Sequence, residues 1–389
     1  MEVQKGSHSL SEDIMIKIMS KLPVKSLLRF KCVSKQWFSL ITTDSYFITT
    51  QLHHSSTSKL CILYGDEYKH QEKETIYVDR MLLIRDQSTV EDLHLDHHPP
   101  VDQRFEIVGS CNGLVCVRLL DSPPGYTNIV LWNPATKDSR YLPEPMSLQG
   151  KKDSKNIMSF GFDHHSKDYK LVIFELNNYK DWVGTMFRFQ VFRKSSNSWS
   201  QTLVNDLSSG YKYKLVAGDI TDSVILNGIL YLFGHESSDN DTSYTIFSFS
   251  LTNEKFDEKI NLPPSKCSKD KFSLTNSWKD SLCLMESDAQ YYHLWVRGDK
   301  CPTTQRYSWT KLFNVQHIIS GAYLLYFTGV WKNGFLFGKY ENIPDPNSGE
   351  LILIDLNHYE TKLKKIGGYV ILFKAFDYVE SLVSVYPSI

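Results

Sequence analysis

The chain has 389 residues, of which 41% are hydrophobic, 13% aromatic and 22% charged, and its formal net charge at pH 7 is -1. This composition is typical of a globular protein with a sizeable core, and the balanced charge argues against nucleic acid or an anionic membrane as the main ligand. Seven scattered cysteines without metal-ligand spacing predict reduced thiols. Because neither a signal peptide nor a membrane span is apparent, we expect a cytoplasmic protein, either confined there or shared with the nucleus.

The first predicted structure is helical. Residues 1–9 are expected to be disordered, and residues 10–41 read LSEDIMIKIMSKLPVKSLLRFKCVSKQWFSLI. Ser9 or Ser11 is placed to cap a first helix with Ile14 and Ile18 on one stripe, and two further short helices follow the Leu-Pro pair at 22–23. About thirty residues are too few to bury so many apolar side chains among themselves. Either the rest of the chain or a partner must therefore cover them.

Beyond this segment the periodicity changes. Residues 42–58 are expected to form a helical and polar connector, and from 59 to 389 short β-rich runs alternate with turns. FEIVGSCNGLVCV (105–117) is a strand–turn–strand motif that recurs along the chain, and VLWNPATKDSRYLP (130–143) begins a second motif that alternates with it. A period of about 50 residues with about four strands per unit predicts a mostly antiparallel β-propeller of about six blades.

The turns of the first motif also suggest how the propeller closes. Asn-Gly pairs at 112–113, 227–228 and 333–334 supply the positive φ angles that tight hairpin turns require. The strands after these turns, such as GLVCV, are expected to be innermost, and SLVSV (381–385) occupies the same place in the last repeat. The C-terminus would then complete a blade that begins near residue 59, although LCILY (60–64) competes for the inner position.

No catalytic motif is recognisable, so we expect neither catalytic residues nor a metal or cofactor. Histidine doublets at 53–54, 97–98 and 164–165 are interpreted as solvated loop residues, because metal sites need several convergent ligands. The short basic run at 29–31 is interpreted as a solvated helix face.

Four long segments, 119–128, 174–186, 233–243 and 338–350, are predicted to be loops on one shared face of the propeller. Their aromatic and acidic side chains suit recognition of a basic protein surface. The candidate substrate-binding residues are Tyr126, Tyr179, Asp181, Trp182, Glu236, Asp239, Asp241, Tyr340 and Glu341.

The core LPVKSLLRFKCVSKQW of the helical segment closely resembles an F-box. GSCNGLVCV, LWNPATKDSRYLP, SFGFDHHSKDYKLV and YVESLVSV resemble the F-box-associated β domain of plant F-box proteins. S-locus F-box proteins, which recognise secreted stylar ribonucleases, share this arrangement. One departure is Leu10-Ser11, where the family usually has Leu-Pro.

This resemblance implies an α+β multidomain protein, with a three-helix F-box at 10–41 before the β-propeller-like domain. The F-box of this family docks on a Skp-type adaptor, which is joined to a cullin and a RING subunit, while the β domain binds a protein substrate, here an S-ribonuclease if the S-locus resemblance holds. The implied function is that of a non-catalytic substrate receptor of a ubiquitin ligase. The candidate adaptor contacts are Leu10, Ile14, Ile18, Leu22, Pro23, Leu27, Leu28, Val33 and Trp37.

Two alternatives remain open. In the first, the chain is an enzyme or small-ligand-binding propeller whose N-terminal helices merely pack against it. In the second, it is an interaction scaffold that acts outside a ligase.

Overall fold

The structure is a computed structural model. It describes residues 12–55, 60–71, 74–85, 89–93, 104–120, 128–146, 155–180, 183–203, 214–216, 223–238, 241–264, 272–278, 281–288, 290–316, 323–331, 335–342, 345–355, 360–364, 369–370 and 374–387.

Residues 12–55 form four helices, which together are called the helical domain here. They are α1 (Glu12–Met19), α2 (Val24–Phe30), α3 (Lys35–Thr42) and α4 (Ser45–Ser55). Side chains cap the last two: Ser34 Oγ accepts from the backbone N–H of Trp37 at 3.2 Å, and Asp44 Oδ1 accepts from that of Phe47 at 2.8 Å. The predicted cap at Ser9 or Ser11 lies outside the described residues. In the described part of the chain, no helix is both long and apolar enough to cross a membrane.

The described residues from 60 onwards form antiparallel strands in six successive units, which are called blades 1 to 6. Blade 1 contains β1 (Leu60–Gln71), β2 (Glu74–Arg85) and β3 (Thr89–Leu93). Blade 2 contains β4 (Phe105–Cys111), β5 (Leu114–Leu119), β6 (Ile129–Asn133) and β7 (Asp138–Tyr141). Blade 3 contains β8 (Lys155–Asp163), β9 (Asp168–Lys180), β10 (Val183–Arg193) and β11 (Ser198–Leu203).

A short strand, β12 (Lys214–Val216), joins blade 3 to blade 4. Blade 4 contains β13 (Ser223–Leu226), β14 (Ile229–Ser238), β15 (Asp241–Ser250) and β16 (Lys255–Ile260). Blade 5 contains β17 (Phe272–Trp278), β18 (Ser281–Ser287), β19 (Tyr291–Lys300) and β20 (Tyr307–Gln316). Blade 6 contains β21 (Tyr323–Trp331), β22 (Phe335–Asn342), β23 (Asp345–Asp355) and β24 (Glu360–Lys364). The last strands, β25 (Tyr369–Val370) and β26 (Lys374–Tyr378), return to pair with β1.

The inner strands close into a ring. β26 contacts β4, and the contacts continue through β8, β13, β17 and β21 back to β26. The strand before each tight turn is therefore innermost, and the expectation that GLVCV and GILYLF are innermost is wrong. β5 and β14 are instead second strands, paired on both sides. Blades 2 and 4 each pack between two neighbouring blades, so both faces of their second strands are apolar. The predicted mostly antiparallel propeller of about six blades is confirmed.

The ring is closed by pairing between the two ends of the propeller. β26 runs antiparallel to β1, with Tyr378 opposite Leu60 and Lys374 opposite Tyr64. The C-terminus thus completes blade 1, as expected, but KAFDY supplies the inner strand and LCILY the second. SLVSV is not a strand: its backbone leaves the sheet after β26. Alternating apolar residues identify a half-buried extended segment, but they do not show whether that segment pairs in a sheet.

Apolar layers fill the spaces between neighbouring blades. Between blades 2 and 3, for example, Leu114 and Leu131 join one cluster with Leu171 and Phe192, and all four are buried. Similar clusters lie between blades 1 and 2, 3 and 4, and 4 and 5. In the described part of the chain, each of blades 1 to 4 is therefore held to the next mainly by burial of apolar side chains.

The segment after β26, residues 379–387, is called the strap. Fully buried Asn133, at the end of β6, donates from Nδ2 to the carbonyl oxygens of Ser381 (3.1 Å) and Val383 (2.8 Å). Ser381 Oγ donates to the carbonyl oxygen of Asn112 at 2.9 Å. Gly113 follows with φ of 84°, and a Cβ atom there would lie 2.2 Å from Ser381 Oγ, so the turn needs glycine for both its angle and its space.

A buried ionic cluster joins the turns of blades 3 and 4. Lys170 Nζ lies 3.0 Å from Asp163 Oδ2 and 3.1 Å from Glu254 Oε1, and donates to the carbonyl oxygen of Leu251 at 2.5 Å. Burial alone would raise the pKa of Asp163, but hydrogen bonds from Ser166, Thr252 and Lys170 and from the backbone lower that pKa well below its ordinary range. Asp163 is therefore ionised and bound to groups on two blades.

The clasp formed by Asn133 is testable. Asn133→Ala removes the hydrogen bonds from Nδ2 to the carbonyl oxygens of Ser381 and Val383. We therefore expect the free energy of unfolding, measured by chemical denaturation, to fall by about 2–4 kcal/mol. Asn253→Ala, in an exposed turn of blade 4, is the matched control, and we expect a change below about 0.5 kcal/mol. Equal effects of the two substitutions would contradict the assigned role.

The ionic cluster predicts a pH dependence. Because the pKa of Asp163 is lower in the folded than in the unfolded chain, the carboxylate stabilises the fold above about pH 4 and this contribution is lost as the pH falls further. Asp163→Asn should lower the free energy of unfolding by about 3 kcal/mol at pH 7 and by progressively less below about pH 4.

The measurement is urea denaturation from pH 3 to pH 7. Asp138→Asn, at an exposed position in β7, is the control for removal of one carboxylate. A deficit in Asp163→Asn that stays constant across this range would show that the ionised carboxylate is not what stabilises the cluster.

Candidate functional site

Helix α1 divides its apolar side chains between two surroundings. Met19 is buried, and Met15 and Ile16 pack against the core of the helical domain. Ile14 and Ile18, one turn apart, remain 47% and 53% exposed. Since residues four apart lie on the same face of a helix, α1 presents an uncovered apolar stripe.

The other helices repeat this division. Leu40 and Ile41 are buried, but Val33 is 62% exposed before α3 and Phe38 is 53% exposed within it. Tyr46, at the start of α4, is 69% exposed. Five of the exposed large apolar side chains of the described residues thus belong to a domain of only four short helices. Such a concentration is typical of a surface that binds a partner.

The predicted adaptor contacts fall into three groups. Ile14, Ile18, Val33 and Pro23 are exposed, while Leu22, Leu28 and Trp37 are half-buried against the core of the helical domain. The Trp37 ring packs edge-on against Phe30, with ring centroids 5.3 Å apart. Leu27 has no exposed surface, so in this conformation it packs inside the domain. Leu10 lies outside the described residues.

Basic side chains accompany the exposed apolar ones. Those that are exposed in the helical domain are Lys17, Lys21, Lys25, Arg29 and Lys35. Asp13 is an exposed acid on the same domain. This surface is complementary to a partner that combines apolar and acidic groups.

The propeller face that carries the helical domain can be identified from its turns. Ala135, in the turn after β6, packs against the helical core. Hydrogen bonds link strand residues beside these turns to the turns of the next blade, from Arg140 in β7 to Asn197 and from Arg193 at the end of β10 to Glu254. The turns between the first and second strands and between the third and fourth strands of blades 2 to 4 therefore share this face. Because the strands alternate in direction, the connections between second and third strands lie on the opposite face.

The predicted substrate residues belong to those opposite connections, but the expectation of long loops is wrong for three of the four segments. Tyr179 lies in β9, and Glu236 lies in β14. Tyr340 and Glu341 lie in β22, and Asp241 is the first residue of β15. These strands form long hairpins, since the backbone of a polar segment can extend an antiparallel ladder. Tyr126, Asp181, Trp182 and Asp239 lie outside the described residues.

The opposite face also carries apolar side chains that sequence patterns did not single out. They are Leu120 (38% exposed), Met146 (49%), Leu203 (45%) and Tyr291 (37%). Leu120, Leu203 and Tyr291 lie at or directly beyond a strand end, and Met146 lies in the segment after β7, where period-two patterning no longer assigns a side. Met146 is held in place by buried Gln190, which accepts from its backbone N–H at 2.8 Å and donates to its carbonyl oxygen at 2.9 Å. These residues give this face an apolar character beside the predicted acidic one.

Polar clusters elsewhere in the described residues have structural partners. Both ring nitrogens of His293 are engaged, Nε2 with Asp288 Oδ2 at 2.7 Å and Nδ1 with Asn314 Oδ1 at 2.6 Å. Neither nitrogen is therefore available to activate a nucleophile. Among the described residues, no group of three or more His, Cys, Asp or Glu side chains is close enough to hold a metal ion.

Comparison with known proteins assigns both parts of the chain. Residues 7–49 match the F-box domain, and residues 33–385 match the F-box associated beta propeller domain. Among solved structures, the chain resembles TolB from Acinetobacter baumannii with a TM-score of 0.44 and 10% identity, covering 81% of this chain and 66% of that one.

The chain is also similar to F-box proteins of Arabidopsis thaliana. F-box/kelch-repeat protein At3g23880 is 25% identical over 320 residues, which cover 79% of this chain and 80% of the relative. F-box protein ETP1 is 23% identical over 327 residues, covering 78% and 73%. The match to the propeller domain spans most of the chain, and the structure has its fold. The protein therefore belongs to the family of plant-type F-box proteins that join an F-box to an F-box associated beta propeller domain.

Proposed function

We propose that this protein is the substrate receptor of an SCF-type ubiquitin ligase. The observation that carries this proposal is the uncovered apolar stripe of α1, together with exposed Val33 and Phe38, on a domain whose core is formed by buried residues such as Leu27 and Phe47. Removal of these side chains from water by a partner favours binding through the hydrophobic effect. A Skp-type adaptor with an apolar and acidic surface is the partner that fits.

The chain itself performs no chemistry in this proposal. The adaptor connects the F-box to a cullin and a RING subunit, while the propeller holds the substrate. Binding raises the effective concentration of substrate lysines near the ubiquitin-conjugating enzyme. The engaged ring nitrogens of His293 and the inter-blade position of the Asp163–Lys170 cluster support a structural rather than a catalytic role for these groups.

The substrate site is proposed on the face opposite the F-box. The long hairpins of blades 3, 4 and 6 end there, and Leu120, Met146, Leu203 and Tyr291 are exposed there. Apolar side chains with acidic ones around them suit a folded protein with a basic surface. The resemblance to S-locus F-box proteins makes a stylar S-ribonuclease the first substrate to test.

The direct test of the whole proposal is reconstitution of the full chain with a Skp-type adaptor, a cullin and a RING subunit. The complex should ubiquitinate a bound substrate, and omission of this chain should abolish that reaction. Stable adaptor binding with a bound protein that is never ubiquitinated would favour the interaction scaffold instead.

The apolar stripe of α1 gives the first mutational prediction. Replacing Ile14 and Ile18 together by Asp should raise the dissociation constant for the adaptor at least about tenfold, because two apolar contacts are lost and charges are placed at the interface. Calorimetry on the full chain measures the change. Leu203→Asp, at a similarly exposed apolar position on the opposite face, is the matched control and should leave adaptor affinity unchanged. The hypothesis fails if both variants bind like the wild type.

Trp37 gives the second prediction. Trp37→Ala should weaken adaptor binding by about 2 kcal/mol or more, since half-buried interface tryptophans contribute through both contact and positioning. Hydrogen exchange of the helical domain in the free chain separates the two contributions. Faster exchange across α2 and α3 would assign the loss to packing against Phe30, and unchanged exchange would assign it to direct contact. Unaltered affinity would exclude both contributions.

A further inference from the structure

The core of the F-box is completed by a residue near the other end of the chain. Leu382 in the strap is only 5% exposed and belongs to the same cluster as Met19, Leu27 and Phe47. Among the described propeller residues, Ala135 also packs against this cluster. Within that part of the chain, Leu382 is the large apolar side chain that the propeller contributes to the helical core.

The strap is fixed to the propeller immediately on both sides of Leu382. Asn133 Nδ2 donates to the carbonyl oxygens of Ser381 and Val383, at 3.1 and 2.8 Å, and its Oδ1 accepts from the backbone N–H of Ala135 at 3.0 Å. One buried side chain thus holds both propeller residues that enter the F-box core. Hydrogen bonds of this kind restrict the backbone of the strap while its Leu382 side chain faces the helices.

Further contacts spread the strap over three blades. Glu380 Oε1 accepts from Arg85 of blade 1 at 2.7 Å. Val385 is fully buried in the cluster between blades 2 and 3, and Arg140 of blade 2 lies over the ring of Tyr386, with 5.8 Å between Cζ and the ring centroid. The strap is therefore a rigid part of the propeller and not a free chain end.

We propose that the strap fixes the orientation of the F-box relative to the propeller, with Leu382 and Asn133 as its positioning residues. The inference rests on the proposed function, because its consequence is a defined direction from the adaptor to the bound substrate. Domains of one chain move relative to each other unless their interface is large and hydrophobic, so a contact centred on Leu382 depends on the support that Asn133 gives to the strap. A restrained orientation keeps substrate lysines within reach of the conjugating enzyme, where a freely moving one would dilute them.

Single-molecule energy transfer on the full chain tests the proposal. Fluorophores are introduced through non-natural residues at Lys35 in the F-box and Lys255 in blade 4, both of which are exposed. The wild type should give one narrow distance distribution. Leu382→Asp and Asn133→Ala should each broaden it at least about twofold, since the apolar contact or its support is removed. Adaptor affinity should stay within about threefold, because Ile14, Ile18 and Val33 are unchanged.

Ser384→Asp is the matched control, since it adds the same charge at an exposed strap position two residues away and should leave the distribution narrow. If Leu382→Asp does not fold, Leu382→Ala is measured in the same way. Narrow distributions in both the Leu382 and Asn133 variants, with adaptor binding intact, would show that the strap does not fix the orientation of the F-box. If the wild type does not bind the adaptor, the proposed function is wrong, and its distance distribution still shows whether the strap fixes that orientation.

Discussion

The pairing of β26 with β1 is the interaction on which the rest of the structure depends. It joins the two ends of the propeller, so that blade 1 gains its inner strand and the ring of inner strands becomes continuous. Without it, β1 would present an unpaired edge along residues 60–64, where its backbone groups would need other partners. The same pairing sets where the chain emerges after Tyr378, and therefore where the strap meets Asn133 and the F-box. Closure of the β domain and placement of the F-box both follow from the register in which β26 pairs with β1.

Sequence periodicity predicted the architecture because local patterns encode it. Repeated turns and alternating apolar residues are short-range features, and they led correctly to an antiparallel propeller of about six blades after a helical segment. Periodicity did not reveal the function of Asn133, which binds residues 248 and 250 positions away in the sequence. It also misplaced SLVSV, because an extended segment packed on a surface has the same apolar alternation as a strand in a sheet. Pairing partners are long-range properties that a single pattern does not contain.

The candidate adaptor surface shows the same limit at the level of side chains. Helical spacing placed Ile14 and Ile18 on one apolar stripe of α1 without showing what covers it, and the structure leaves this stripe exposed while Met15 and Met19 contact the core. Leu27, which the family resemblance also suggested as a contact, is entirely buried. An apolar residue needs to be covered, and its identity does not say whether its own domain, the propeller or a partner covers it. The packing of α1 to α4 against one another and against Leu382 shows which apolar residues are covered within the chain and which remain exposed for a partner.

The proposed adaptor and substrate surfaces lie on opposite faces of the propeller. On the F-box face, short turns are joined by specific polar contacts, including the ionic cluster of Asp163, Lys170 and Glu254. The apolar clusters of blades 1 to 5 and the linked turns of blades 2 to 4 hold these blades together. On the other face, long hairpins connect the second and third strands of blades 3, 4 and 6. They can present different side chains to a substrate while the strap and the F-box keep their positions, which is the separation that a receptor with one adaptor and a variable target requires.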